Sequence, residues 1–185
     1  MNIDQFTTPL SDELCERLGI EFITEILTEA RNEHDVCLDI PGYRQTKSYT
    51  CGFVSGLMVL RTFYPRASWK KFHASCQMHP EWGMSTRKVA SALRKSGIGV
   101  RIRQGLKFHE IAAAIEKGHP VITSIKRRGD VQHWVVIYGV NRRAREVFIA
   151  GEKFWFSPKS TVFKWRELKK QIPHQIDFLL CWKKS

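Results

Sequence analysis

The sequence lacks the patterns that assign a chain to the membrane or to a secretory route. No apolar run approaches the roughly 20 residues that a membrane-spanning helix needs. The first residues, MNIDQ, do not begin a basic segment followed by an apolar one, as a secretory signal would. There are also no internal repeats and no low-complexity tracts. We therefore expect a cytoplasmic protein without a membrane partner.

Cysteine is present, but not in the spacing of a disulfide framework or a zinc ribbon. The count is odd and there is no Cys-x-x-Cys, the five cysteines lying at positions 15, 37, 51, 76 and 181. Reduced thiols are the simplest interpretation for a cytoplasmic protein. His73, Cys76 and His79 recur at three-residue intervals, but a zinc site needs a fourth ligand that this pattern does not supply. We predict no metal and no organic cofactor.

Charge is strongly one-sided, with 30 Lys and Arg against 18 Asp and Glu, or a net charge of +12. Such a balance favours polyanions or acidic protein surfaces as partners. A solvated basic surface that aids solubility is the alternative. The basic doublets are scattered, and no helix-turn-helix, zinc finger or aromatic-basic strand accompanies them. Nucleic-acid binding is thus a further alternative that no motif supports.

The hydrophobic pattern divides the chain into an N-terminal helical appendage, residues 1–40, and a main domain, residues 41–185. In the appendage, apolar residues between positions 14 and 27 recur at helical spacing after Ser11, a capping residue. In the main domain, helices are predicted over 51–64, 68–78, 85–96 and 107–117, with a short strand at 99–103. The period then becomes extended, with strands at 121–126, 133–140, 146–150 and 176–182. Helices followed by an antiparallel sheet predict an α+β fold.

Cys51 is the leading candidate for chemistry, because it opens the apolar helix predicted over 51–64. The unpaired N–H groups and partial positive charge of a helix start favour thiolate over thiol. Gln45, six residues upstream, carries an amide that can donate to the oxyanion formed when a thiolate attacks a carbonyl. Gly52 leaves room for a substrate backbone. A small cysteine packed in a buried helix is the alternative.

A cysteine nucleophile needs a base, and His133 is the histidine that opens a long apolar strand. A strand can hold such a ring rigidly while the ring points into a cleft. A capping or turn histidine is the alternative.

These residues together resemble the papain-like peptidases that cut double-glycine leaders from bacteriocins, and their standalone relatives. The similarity covers about residues 40–170. It rests on Gln45 with Cys51-Gly52, on GHPVI at 118–122, on HWVVIYGV at 133–140 and on VFIA at 147–150. It implies a papain-like fold, in which a helical half with the buried nucleophile helix packs on an antiparallel sheet. It also implies Cys51 as nucleophile, His133 as general base and then acid, and Gln45 as oxyanion donor.

The chain departs from this family where the imidazole is oriented. Relatives usually have an aspartate-proline pair after the strand that follows the histidine strand, whereas this chain has Gly151-Glu152. Glu152 is the predicted substitute, with Asn141, a backbone carbonyl or water as alternatives. Near the nucleophile, Thr50 stands where an acidic residue is frequent, and the bulky Phe53 is predicted to narrow the cleft.

The function expected from sequence is thiol-dependent cleavage of a peptide or isopeptide bond through a Cys51 acyl-enzyme. The substrate is a peptide or protein, and the net charge favours an acidic one. An acyltransferase or deamidase would use the same Cys51–His133 pair. A papain-like binding module that has lost catalysis is the other alternative.

Overall fold

Helices and strands follow one another in an order that separates a helical half from a sheet half. The computed structural model describes residues 20–27, 34–45, 47–126, 132–151, 161–173 and 176–184. The helices are α1 (Cys51–Phe63), α2 (Trp69–Cys76), α3 (Thr86–Lys95), α4 (Phe108–Glu116) and α5 (Trp165–Gln171). The strands are β1 (Ile20–Leu27), β2 (Asp35–Cys37), β3 (Ile40–Gln45), β4 (Ile98–Gln104), β5 (Val121–Lys126), β6 (Gln132–Asn141), β7 (Glu146–Ala150), β8 (Thr161–Lys164) and β9 (Asp177–Lys183).

Helix α1 is central because its sequence is apolar on nearly every side. All residues from 51 to 61 are buried, and the helix ends at Phe63, two residues before Pro65. It packs against β3 on one side and β6 on another. Within the described ranges, no helix is long and apolar enough to cross a bilayer.

Strand β6 is the axis of an antiparallel sheet in the order β4-β9-β5-β6-β7-β8, with β2 also paired to β6. Alternate residues of β6 enter two separate cores. Trp134, Val136 and Tyr138 join the core formed with α1, whereas Val135 and Ile137 join the core formed with α4 and α5. The sheet is therefore covered by helices on both faces. The predicted α+β papain-like architecture, with a buried helix beginning at Cys51 on an antiparallel sheet, is confirmed.

The N-terminal region differs from its prediction. Residues 20–27 form strand β1, not a helix, and pair antiparallel with β3 from Ile20 opposite Gln45 to Leu27 opposite Ile40. Helical spacing over so short a stretch is ambiguous, and the edge of β3 offers backbone partners that only the folded chain brings close. The predicted helix over these residues is wrong. Residues 1–19 lie outside the described residues, and the domain boundary at residue 40 stays a prediction.

A buried guanidinium ties β3 to α1. Arg61 is only 1% exposed, and its Nη1 donates to the Tyr43 hydroxyl at 2.9 Å. The same guanidinium lies 5.9 Å from the Tyr43 ring centroid and donates to the Ala67 carbonyl at 3.4 Å. Burial raises the pKa of Tyr43, with Arg61 acting in the opposite direction. Because unpaired buried charge is unfavourable, this contact stabilises the arrangement of α1 and the β1–β3 pair.

We predict that Tyr43→Phe lowers the free energy of unfolding by about 1–3 kcal/mol, because a buried N–H of Arg61 loses its acceptor. Urea unfolding measures the change. Tyr64→Phe is the matched control, since the Tyr64 hydroxyl makes only a 3.4 Å contact with the Gly97 carbonyl in a half-buried position. Equal losses in the two variants would contradict the importance of the Arg61 contact.

Candidate active site

Cys51 is the first residue of α1 and lies at the edge of the core. It is 7% exposed and follows a short 3-10 turn, Ser48–Thr50. The N-cap residue, Thr50, makes no side-chain capping hydrogen bond, and the dipole of α1 places partial positive charge at this end of the helix. This position stabilises negative charge on the sulfur, as a nucleophilic thiol requires.

Gly52 has a different role from the predicted one. A Cβ at this position would lie 3.0 Å from Met84 Cβ and 3.2 Å from Trp134 Cδ1. The missing side chain therefore makes room for the protein itself, not for a substrate backbone. The Trp134 indole N–H donates to the Met84 carbonyl at 2.9 Å, so both groups that contact Gly52 are held in place. This contact brings the start of α1 against the start of β6.

Thr50 and Phe53, the two neighbours of Cys51 that differ from the family pattern, are both buried. Phe53 is fully buried and lies against Phe72, with ring centroids 5.8 Å apart. It is a core residue and is not among the described residues lining the cavity beside Cys51, so the prediction that it narrows the cleft is wrong. The Thr50 hydroxyl donates to the Lys47 carbonyl at 2.9 Å and so stabilises the turn before Cys51.

Gln45 lies at the end of β3 and is 6% exposed. Its amide Nε2 donates to the carbonyls of Lys47 at 2.5 Å and Ser48 at 3.0 Å. Both amide hydrogens thus hold the turn that leads into Cys51. An oxyanion role requires one of these hydrogen bonds to be exchanged when substrate binds.

His133 lies near the start of β6 and is 2% exposed. Its ring Nε2 is hydrogen-bonded to the Gly151 carbonyl oxygen. Because a carbonyl only accepts, Nε2 carries the proton, and Nδ1 is the unprotonated nitrogen of the neutral ring. A backbone carbonyl therefore orients the imidazole at the point where relatives usually have aspartate. Glu152, the predicted substitute, lies outside the described residues.

The backbone at Gly151 explains how its carbonyl reaches the ring. Its φ is +96°, a conformation that side-chain-bearing residues rarely adopt. Asn141, the other alternative, is at the far end of β6, where its amide donates to Asp35 and its carbonyl oxygen accepts from the Ala144 N–H. It supports the turn after β6 and not the histidine.

A cavity of about 440 Å³ lies beside Cys51. Gln132 and Trp134 border it as well, so the start of α1 and the start of β6 share one concave site, whereas His133, which lies between them, is not among the described lining residues. The described lining residues are Ser48, Tyr49, Cys51, Glu81, Trp82, Gly83, Met84, Gln132 and Trp134. Sequence reasoning missed the contribution of residues 81–84. The Pro80 and Gly83 pair does indicate a turn there, but not which site the turn reaches.

Cys76 and Cys181 are buried thiols whose surroundings suppress reactivity. Burial raises the pKa of Cys76 to about 12 and raises that of Cys181 as well. Within the described ranges, no group of three or more His, Cys, Asp or Glu side chains is placed to hold a metal ion. His73 instead contacts the Phe53 ring edge-on, and the His79 ring stacks on Trp82.

Comparison with solved structures places the fold among peptidase domains. The peptidase domain of Streptococcus ComA, a bi-functional ABC transporter involved in a quorum-sensing pathway, superposes with a TM-score of 0.59 at 17% identity, over 74% of this chain and 95% of that one. A double glycine motif protease from an AMS/PCAT transporter, solved in complex with the leader peptide, gives 0.57 at 16% identity, over 78% and 93%.

A third similar structure is the N-terminal peptidase C39 like domain of a toxin secretion ATP-binding protein from Vibrio parahaemolyticus. It gives a TM-score of 0.52 at 12% identity, over 72% of this chain and 97% of that one. A comparison with curated proteins finds no match. The sequence model of the Peptidase_C39 like family matches residues 37–171, which include Gln45, Cys51 and His133. The chain therefore belongs to the Peptidase_C39 like family.

Proposed function

We propose that this protein is a thiol-dependent hydrolase that cleaves a peptide or isopeptide bond, with Cys51 as nucleophile and His133 as its base. The observation that carries the proposal is the shared cavity, bordered by Cys51 from α1 and by residues 132 and 134 from β6. Membership of a peptidase family supports the same reaction class. A solved relative bound to a leader peptide supports a peptide as substrate.

The proposed reaction uses the two ring nitrogens of His133 differently. Nδ1 accepts the Cys51 proton, and the sulfur attacks the carbonyl carbon to form a tetrahedral oxyanion. The imidazolium then protonates the leaving amine, which departs as the acyl-enzyme forms. Water, deprotonated by the same ring, hydrolyses the thioester and restores the thiol. Throughout, Nε2–H stays on the Gly151 carbonyl, which stabilises the imidazolium.

Gln45 is proposed as the oxyanion donor. Its Nε2 is hydrogen-bonded to the turn before Cys51, and exchange of the 3.0 Å bond to the Ser48 carbonyl would direct an N–H to the oxyanion. An acidic polypeptide is the substrate class that the net charge of +12 favours at long range.

A binding module without catalysis is the second candidate, and the carbonyl at Gly151 favours it. A neutral carbonyl stabilises an imidazolium less than a carboxylate does, and loss of the orienting carboxylate in serine enzymes lowers rates by up to about 10⁴. Reactivity of the Cys51 thiol separates the two candidates.

We predict that iodoacetamide alkylates Cys51 at pH 6 at least about tenfold faster than any other cysteine, because its place at the start of α1 favours the thiolate. Peptide mapping by mass spectrometry measures the five rates. Cys76, with a pKa of about 12, is the internal unreactive thiol. His133→Ala slows the reaction of Cys51 by about tenfold or more, whereas His119→Ala, on the turn after α4, does not. If Cys51 is alkylated no faster than Cys15 or Cys181, the hydrolase proposal fails and the binding module remains as the candidate.

We predict that Gln45→Ala lowers the rate of peptide-ester hydrolysis by about 10²–10³ while slowing iodoacetamide alkylation of Cys51 less than about threefold. Hydrolysis passes through an oxyanion and alkylation does not, so the two rates separate the two roles of the amide. Equal losses in both assays would mean that Gln45 only holds the turn through Lys47 and Ser48.

We predict that Gly151→Ala lowers the ratio of the Cys51 alkylation rates at pH 6 and pH 9 by about tenfold or more, because the substitution displaces the carbonyl that orients His133. At pH 9 the thiolate forms without the imidazole, so that rate changes less. Gly105→Ala is the matched control. Gly105 also has a positive φ, +64°, and lies in the turn after β4, where no described atom lies within 4 Å of the position of an added Cβ. If Gly151→Ala leaves this ratio unchanged, the Gly151 carbonyl does not orient His133 for reaction with Cys51.

A further inference from the structure

We propose that the cavity beside Cys51 recognises a cationic side chain, lysine or arginine, next to the bond that is cleaved. This inference rests on the proposed function and adds the class of substrate residue that the site selects. It follows from the described side chains that line the cavity with Cys51, among which the charged one is acidic although the protein as a whole is basic.

Glu81 is the one charged side chain among the described residues that line this cavity. It is exposed, and it lies on a loop whose ends, His79 and Gly83, are joined by an antiparallel bridge. Lys88, the nearest lysine along the following helix, donates to the Gln77 carbonyl at 2.9 Å. The charge carried by the described lining residues is therefore negative, although the chain carries a net charge of +12.

Three aromatic residues, Tyr49, Trp82 and Trp134, line the same cavity. The face of an aromatic ring carries negative charge density and attracts ammonium and guanidinium groups within about 6 Å of its centroid. Aromatic faces together with one carboxylate form the combination that binds organic cations, and they repel a carboxylate or sulfonate.

The loop that carries Glu81 and Trp82 has a defined structure. Its ends are joined by a pair of backbone hydrogen bonds between His79 and Gly83, at 3.0 and 2.8 Å. The Trp82 indole is 78% exposed yet stacks on the His79 ring, with centroids 5.9 Å apart and planes inclined by 23°. Gly83, with φ of +65°, packs so closely that a Cβ would lie 3.0 Å from the Tyr49 carbonyl. The exposed Trp82 indole is thus supported by His79 at the edge of the cavity.

Glu81 in the cavity predicts that Cys51 reacts faster with a cationic reagent, whereas the net charge of +12 predicts faster reaction with an anionic one. Two small reagents of opposite charge test this directly. Cationic 2-(trimethylammonium)ethyl methanethiosulfonate and anionic 2-sulfonatoethyl methanethiosulfonate both react with a thiolate to form a mixed disulfide and release methanesulfinate. Rates at Cys51 are measured by peptide mapping and divided by those of 2-mercaptoethanol, which corrects for intrinsic reactivity. Half-buried Cys37 reports the effect of net charge in the same molecule.

We expect the cation-to-anion rate ratio at Cys51 to exceed that at Cys37 by about tenfold or more. Glu81→Gln brings the Cys51 ratio down to that of Cys37. Glu167→Gln makes the same change in net charge on helix α5, away from the cavity, and leaves the ratio unchanged. Equal ratios at Cys51 and Cys37, or a Cys51 ratio that Glu81→Gln does not alter, would overturn the inference.

Peptidyl acyloxymethyl ketones extend the test to substrate-like ligands. Three peptides differ only in the residue next to the reactive carbonyl: lysine, the neutral norleucine of similar length, or glutamate. We expect Cys51 to be inactivated about tenfold faster by the lysine peptide than by the norleucine peptide, and slowest by the glutamate peptide. Trp82→Ala reduces the preference for lysine, and Trp82→Phe retains part of it.

The ketones also separate the two levels of the proposal. If none of them labels Cys51, the proposed peptidase function fails, whatever the small probes show. If all three label Cys51 at the same rate, the peptidase function stands and the selection of a cationic residue is wrong.

Discussion

The contact between Trp134 and Gly52 is the constraint on which the rest of the site depends. The indole of β6 occupies the space that a side chain at position 52 would fill, and its N–H is bonded to the Met84 carbonyl. Because α1 cannot move away from β6 without opening this buried contact, its first residue, Cys51, is held beside the start of the strand. The cavity at Cys51 is a consequence of this packing between a helix and a sheet.

A second constraint is the geometry after β7. The register of β6 with β7 pairs Val136 with Ala150, so the chain leaves the sheet at Gly151, close to His133. A positive φ directs the carbonyl of this glycine to the ring. The site thus obtains an orienting acceptor from the backbone, and the proton on Nε2 follows from the chemistry of that acceptor. The Gly151 carbonyl stabilises an imidazolium less than an aspartate carboxylate would, but it still accepts a hydrogen bond from the ring.

Much of the fold was predictable because its elements are long and strongly periodic. The apolar run after Cys51, the extended residues of β5 to β7 and the capping residues of α3 all carry local signals. Strand β1 was missed because its pairing with β3 is non-local and its short apolar stretch fits two periods. Cys51 and His133 stood out as candidates since each opens an apolar element. The loop at residues 79–83 did not stand out, because only the folded chain brings Glu81 and Trp82 to the cavity that Cys51 lines.

The central claim is that the Cys51 thiol and the His133 imidazole share a proton. Titration of the His133 ring by NMR, in the wild-type protein and in Cys51→Ala, tests it most directly. A neighbouring thiolate stabilises the imidazolium, so the account predicts a higher His133 pKa in the wild-type protein than in the variant. Identical titration curves would show that the two groups do not interact and would contradict the account.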